Sequence, residues 1–448
     1  MNDTADATYS PAQRLGIIVS CMLGFALDLY DVLILPYLMP SIQRSMHISL
    51  AEVASITTVT LVGSVVGGGL FGWLGDRIGR KAALQWTLIV FALASVGSAF
   101  AWNFTSLLVM RLILGVGLGG EWGAGMVLFN ETWNPQRRGL GTALIQGSAT
   151  LAAAGASVVG LWAVQSFSGY WGWRIGLLTG SAPVILAVFI RFWMPESRAW
   201  EQFDRTRRAG LGAAHGNTFA GMFSKRLRAT SFAAALWLTA YMFCYYAVVV
   251  FVPSLMLRVL HTPPGVVRAA TVTAAVAGGI SYLVMGWLND RMGRRFGAIV
   301  PAVFWLIAFG ILYIAPNARY GGSMLAWPVF WLPIVFAMGS SALGVVGAWL
   351  SELYPIEVRA TAVSAIYMFG RAAGSLAPIL VPAAASRWGD SLPRGMLIAL
   401  PAALVFLFMS FVLPETRGRR LAARAHDAES DRLRVSSDKT LLQNGHRH

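Results

Sequence analysis

Charge is scarce in this chain. Only 12% of its 448 residues are Asp, Glu, Lys or Arg, against about 25% in an ordinary soluble domain. With 56% hydrophobic residues and a mean hydropathy of +0.61, the apolar surface is too large for one water-soluble core, and the bilayer is the expected solvent. Cysteine is almost absent. Cys21 and Cys244 both fall inside apolar runs, which excludes a disulfide framework and a thiolate metal site. Acids are scarcer than bases, and the net charge is +15. The basic residues lie in short loops on alternate sides of the apolar runs and in the C-terminal stretch, a membrane-topology pattern and not a nucleic-acid surface. No phosphate loop, nucleophile motif or metal cluster occurs, so neither an enzyme nor a bound cofactor or metal is expected. No cleavable signal is evident, because the first apolar run has full span length and carries two aspartates.

What is present is duplication. Gly72-Trp73-Leu74-Gly75-Asp76-Arg77-Ile78-Gly79-Arg80-Lys81 returns 214 positions later as Gly286-Trp287-Leu288-Asn289-Asp290-Arg291-Met292-Gly293-Arg294-Arg295. Glu131…Arg138-Gly139 is matched by Glu352…Arg359-Ala360, and Pro195-Glu196-Ser197-Arg198 by Pro414-Glu415-Thr416-Arg417. A repeat this regular implies two parallel halves. Twelve apolar spans of about 20 residues, enough to cross the hydrocarbon as helix, are expected near 15–38, 53–75, 82–101, 106–129, 139–164, 173–194, 230–254, 268–289, 297–315, 327–350, 360–383 and 395–413. The division is a tail (1–14), a six-helix bundle (15–194), a polar linker (195–229), a second six-helix bundle (230–413) and a charged, floppy tail (414–448). The expected fold is an all-α membrane protein with two pseudo-symmetric bundles. Arg77, Arg80, Lys81, Arg138, Arg291, Arg294, Arg295 and Arg359 share one side with the linker arginines. The positive-inside rule makes that side, and both termini, cytoplasmic.

The duplicated G-x-L-x-D-R-x-G-R-[KR] loops resemble those of the major facilitator superfamily, and the resemblance covers nearly the whole chain. Gly119-Gly120-Glu121-Trp122-Gly123-Ala124-Gly125, Trp171-Gly172-Trp173-Arg174 and the pair Asp28, Asp31 are similar to the sialate:proton symporters and related lactate/pyruvate-type permeases. Metabolite:proton and aromatic-acid:proton symporters share parts of this pattern. The resemblance implies a monomer, a bacterial inner-membrane location, and a central cavity faced by spans 7, 8, 10 and 11.

Charges inside spans are expensive, so each is a functional candidate. Asp28 and Asp31 are three residues apart and share a helix face. Counting helical rise from each span's end puts Asp31 and Arg111 at similar depth. Their pairing, loosened when Asp31 takes a proton, would couple transport to the proton gradient. The resemblance implies the same, and a static ion pair is the alternative. Glu121 lies about 15 Å deeper than Arg111. It is either a second proton-coupling site or a protonated carboxyl bonded to backbone. Gly115, Gly119 and Gly123 would let another helix approach closely. Arg371 in span eleven is the candidate for holding an anionic substrate; pairing with Asp28 or Glu121 is the alternative. Tyr367, Tyr245, Tyr241, Gln146 and Trp122 are expected to line the same site, packing being the other reading for the aromatics. A cytoplasmic gate is expected from Asp76, Arg77, Arg80, Glu131 and Arg138 with Asp290, Arg291, Arg294, Glu352 and Arg359, made in one transport state and broken in the other. Arg174 is expected in an interfacial aromatic belt, and Arg191 to snorkel to the surface. The expected activity is proton-coupled import of a small organic anion such as a monocarboxylate, sialate or aromatic acid. The rival is a proton-driven antiporter exporting a drug or metabolite. Drug antiporters of this superfamily carry a glycine–proline signature in span five, whereas residues 141–160 contain no proline.

Overall fold

The structure, a computed structural model, describes residues 9–167, 170–181, 185, 193–209, 218–314, 331–419 and 421. Among them only helices and turns occur. The first half contains α1 (Pro11–Met46), α2 (Leu50–Ile78), α3 (Arg80–Ala99), α4 (Phe104–Thr132), α5 (Arg138–Gly147), α6 (Ala149–Ser166) and α7 (Gly172–Thr179). Between the halves lie α8 (Arg198–Arg208) and α9 (Thr218–Met222). The second half contains α10 (Arg228–Val249), α11 (Pro264–Met292), α12 (Arg294–Ile314), α13 (Trp331–Ser340), α14 (Leu343–Leu353), α15 (Arg359–Gly374), α16 (Ala377–Arg387), α17 (Leu392–Met396) and α18 (Ala399–Val412). Among the described residues, ten helical stretches are long and apolar enough to cross a membrane. Their outward faces carry apolar side chains such as Leu93, Val66, Val272 and Phe408. This is a multi-pass membrane protein.

Several boundaries differ from the sequence expectation. The first span runs from Pro11 to Met46, not 15–38, because Ser10 and Gln13 form a capping box at its start and Pro36 and Pro40 are absorbed within the helix. The fifth span is two helices meeting at Ser148, and the tenth and eleventh are interrupted at 341–342 and 375–376. The polar linker is partly helical: Ser197 caps α8, and Trp200 is buried against the first half. Arg174, expected in an interfacial aromatic belt, is covered by its aromatic neighbours. It is buried, stacks on Tyr170 and Trp173, and donates to the carbonyl of Ala101 at 2.9 Å. Arg191 and residues 422–448 lie outside the described residues.

Glycine sets the helix packing. Gly119 of α4 meets the carbonyl of Ser64 on α2, where any Cβ would collide. Gly123, one turn on, meets Ser364 of α15 in the other half. The seam between halves follows a pseudo-two-fold. Helix α2 packs on α15, and its repeat equivalent α11 packs on α5. The largest buried cluster crosses this seam, joining Cys21, Trp122 and Met126 to Trp237, Val346 and Tyr367.

The two loop glycines repeat in conformation as well as position. Gly79 and Gly293 both have φ of +106°, with ψ of 155° and 169°, a region essentially closed to other residues. A Cβ at either would also strike the carboxylate of Glu196 or Glu415. Gly79→Ala and Gly293→Ala should each destabilise the protein by about 1–3 kcal/mol, seen as a lower Tm in detergent. Gly310→Ala, with open space around it inside α12, should not lower Tm and by helix propensity should raise it slightly.

Candidate functional site

The repeated charges assemble on one face, the basic face, into two related clusters. Asp76 at the end of α2 accepts from the backbone N–H groups of Ala360 (3.1 Å) and Thr361 (2.9 Å) and from the Thr361 hydroxyl (2.7 Å). Asp290 at the end of α11 accepts from the backbone N–H groups of Gly139 (2.7 Å) and Leu140 (2.9 Å). Each aspartate therefore caps the N-terminus of a helix in the opposite half, where unpaired N–H groups and the helix dipole favour an anion. Glu131 bridges Arg80 of its own half (3.2 Å) and Arg359 of the other (2.7 Å). Glu352 bridges Arg294 (2.8 Å) and, across the seam, Arg138 (3.4 Å). The side chains of these two networks are nearly all buried, so removing one partner strands the others.

Two glutamates that the sequence reading noted only as repeats turn out to brace these loops. Glu196 accepts from the backbone N–H groups of Arg80 (3.0 Å) and Lys81 (3.1 Å). Glu415 accepts from those of Arg294 (2.9 Å) and Arg295 (3.0 Å). Burial raises the Glu196 carboxyl above the usual range despite its N–H donors. At Glu415, burial acts in the same direction, but four backbone donors outweigh it and hold the carboxyl below that range. The signal was their placement: Pro-Glu-[Ser/Thr]-Arg closes each half at the same point.

The start of the C-terminal tail joins this face. Arg138 donates to the carbonyl of Arg419 (2.7 Å), Arg359 to that of Leu421 (3.3 Å), and Arg417 to that of Asp290 (3.0 Å). Arg77 and Arg291 do not belong to the lock. Both are exposed and stack on Trp73 and Trp287, at 4.3 and 4.2 Å from the ring centroids. The sequence grouped them with their neighbours, but a helix turns about 100° per residue, so residues adjacent to the aspartates point outward.

A second constellation occupies the interior. Arg111 of α4 donates to Asp31 of α1 through one bond of 2.6 Å, both side chains being buried. Asp31 Oδ1 and Arg111 Nε and Nη2 have no protein partner. One turn below, Asp28 and Glu121 border a narrow cavity with Gly24, Leu88 and Phe91. Both Asp28 oxygens and Glu121 Oε2 lack a protein partner. Glu121, whose partner the sequence left open, thus has Asp28 as its electrostatic neighbour. The field of Arg371 reaches Asp28 from the other half. Arg371 Nε donates to the Tyr246 hydroxyl at 3.4 Å. Between the halves, Trp122 stacks on Tyr367 with ring centroids 3.5 Å apart and planes inclined by 9°. Gln146 Oε1 accepts from the Trp122 indole N–H at 3.0 Å.

Tyr245 and Tyr246 flank this region edge to face, 5.6 Å apart. Tyr241 is placed differently from the substrate wall expected of it. Its hydroxyl donates to the Ser340 carbonyl (2.7 Å) and its ring packs on Trp305 and Phe406, so it ties α10 to α12, α13 and α18. Tyr282 of α11, which the sequence reading did not single out, lies in electrostatic contact with Tyr245 and Tyr367. One more tyrosine in an aromatic-rich chain gave no signal.

A family model described as Major Facilitator Superfamily matches residues 21–280 and again residues 238–442. The chain belongs to the major facilitator superfamily. The transporter is 28% identical over 422 residues to a putative metabolite transport protein of Haemophilus influenzae, covering 90% of this chain and 97% of that one. It is 29% identical to a probable 4-methylmuconolactone transporter of Cupriavidus pinatubonensis, covering 89% and 90%. Further relatives are named for niacin/nicotinamide (Bacillus subtilis), cis,cis-muconate (Acinetobacter baylyi) and sialic acid (Escherichia coli) transport. Among solved structures, the proton:xylose symporter XylE superposes with a TM-score of 0.73 at 19% identity, covering 92% of this chain and 98% of that one. Membership of this family of transporters, and relatives named as transporters along nearly the whole chain, make the protein a transporter and not an enzyme.

Because Glu131 serves arginines of both halves, Glu131→Gln should weaken the closed basic face. With Cys21 and Cys244 replaced by alanine, a cysteine at buried position Thr142 should react with a membrane-impermeant maleimide at least tenfold faster when Glu131→Gln is added. An unchanged rate would show that Glu131 does not hold the face shut.

Proposed function

We propose that the transporter is a proton-coupled symporter that imports a small organic anion, with the basic face and both termini cytoplasmic in a bacterial inner membrane. The observation that carries this reading is the single 2.6 Å bond between Arg111 and Asp31, both fully buried. A static buried pair gains most from two-pronged geometry and complete hydrogen bonding. This pair has one bond and three unpartnered polar atoms, an arrangement suited to being broken. Arginine keeps its proton, so the carboxylate is the member able to accept one. Protonating Asp31 removes the attraction and frees α1 to move against α4.

Arg371 supplies the anion site. It is buried at the seam, and a guanidinium there favours a carboxylate. Its field falls on Asp28, so an incoming anion and Asp28 compete for the same positive charge. The names of relatives, which include transporters of muconate, niacin and sialic acid, support an organic-acid cargo. Proton entry with the anion offsets its charge. The crossed aspartate caps give the cytoplasmic lock that must open for release.

The test is uptake of a panel of labelled organic acids into proteoliposomes. Wild type should accumulate cargo only with an inward proton gradient. Asp31→Asn should lose at least 90% of that accumulation (about 1.4 kcal/mol or more of coupling) while still exchanging labelled for unlabelled cargo. Accumulation that persists in Asp31→Asn would sink the coupling assignment, and cargo driven outward by the same gradient would favour the antiporter. Arg371→Lys keeps the charge but loses the planar fork, and should raise the apparent KM at least tenfold, about 1.4 kcal/mol.

A further inference from the structure

The stack of Trp122 on Tyr367 is the one ring-on-ring contact joining the two halves among the described residues with such close, parallel geometry. Trp122 comes from α4 and Tyr367 from α15, and both are buried. Three features turn this contact from packing into a site. First, Tyr367 precedes Arg371 by one helical turn on α15, so the ring and the guanidinium share a face. Second, the Trp122 ring is held by its indole N–H bond to Gln146, while Gln146 Nε2 has no protein partner and remains a buried donor beside it. Third, Tyr245 and Tyr246 add aromatic surface around Arg371, with Tyr246 bonded to it. A transporter whose halves separate must break the Trp122–Tyr367 stack. Two parallel faces moving apart leave a flat slot bounded by π surfaces, with a guanidinium one turn away.

We infer that the cargo is a planar conjugated carboxylate, an aromatic or dienoic acid, whose flat portion enters between Trp122 and Tyr367 while its carboxylate is held by Arg371. This rests on the organic-anion reading above and narrows it. A flat ligand replaces one stacking contact by two, without turning either ring from its present plane. A saturated ring or a polyhydroxylated acid presents axial hydrogens or hydroxyls to the aromatic faces and loses both stacks. The direct stack seen here is then the cargo-free closure of the slot. In that closure the two rings occupy the place of the ligand and seal the seam.

The experiment compares acids matched in carbon skeleton and charge. Benzoate and cyclohexanecarboxylate form one pair, and sorbate and hexanoate the other, each labelled and offered to proteoliposomes under the same inward proton gradient, with uptake taken as the excess over protein-free liposomes because the protonated acids also cross a bilayer unaided. Benzoate and sorbate should be taken up with at least tenfold higher kcat/KM than their saturated counterparts. Trp122→Ala should reduce that preference below about twofold, whereas Trp122→Phe, which keeps a ring, should retain most of it. Tyr367→Leu tests the other face and should behave like Trp122→Ala. Each variant is checked for monodisperse elution before reconstitution, so if Trp122→Ala does not fold, Tyr367→Leu carries the comparison. Equal uptake within each pair, or a preference that survives loss of either ring, overturns the inference. In that event proton-driven uptake of the saturated acids leaves the symport reading standing. Failure of every carboxylate to accumulate under the gradient would overturn both.

Discussion

A carboxylate reaching across the seam to the N-terminus of a helix it does not belong to is the interaction on which this structure turns. Asp76 caps α15 and Asp290 caps α5. In each case the acid comes from one half and the N–H groups from the other. Such a bond is strong because it is charge-assisted and aligned with a helix dipole. It is also reversible, because separating the halves returns both partners to water. The surrounding arginines and glutamates extend the same logic. Glu131 and Glu352 each hold one arginine of their own half and one of the other. Glu196 and Glu415 fix the loops that present the aspartates.

The interior obeys a different constraint. Buried charges away from water must be paired, neutralised or used. Arg111 and Asp31 are paired once. Asp28 and Glu121 face each other with three oxygens unpartnered and Arg371 within electrostatic reach of Asp28. The pseudo-symmetry that governs the basic face is broken here. The acids stand in the first half, while the second half supplies Arg371 and most of the aromatic surface around it. In the proposed symport, the first half would carry the proton and the second would hold the cargo, with the Trp122–Tyr367 stack at their junction.

Much of this was legible in the chain because it is repeated or because it is out of place. The spans follow from their apolarity, the two halves from the duplicated decapeptide, and the pairing of Asp31 with Arg111 from equal depth counted along two helices. The glycines at every fourth position of α4 foretold a close neighbour. That Gly119 serves α2 while Gly123 serves α15 could not be told from spacing alone. Arg77 and Arg291 were grouped with the lock by adjacency, although their helix phase turns them to the outer surface. Tyr241 was placed on the substrate wall because it stands near Tyr245, yet its hydroxyl is committed to the Ser340 carbonyl.

By itself the sequence determined the solvent, the two-fold repetition and which ionisable groups would be stranded in the apolar interior. Those follow from transfer free energies and from chain-local patterns. Only the tertiary structure decided who meets whom: aspartate with a foreign helix end and Trp122 with Tyr367 across the seam, and Glu121 with Asp28 inside the first half. These partners stand tens to hundreds of residues apart. No local preference encodes their meeting, which is set by how helices pack within each bundle and between the two.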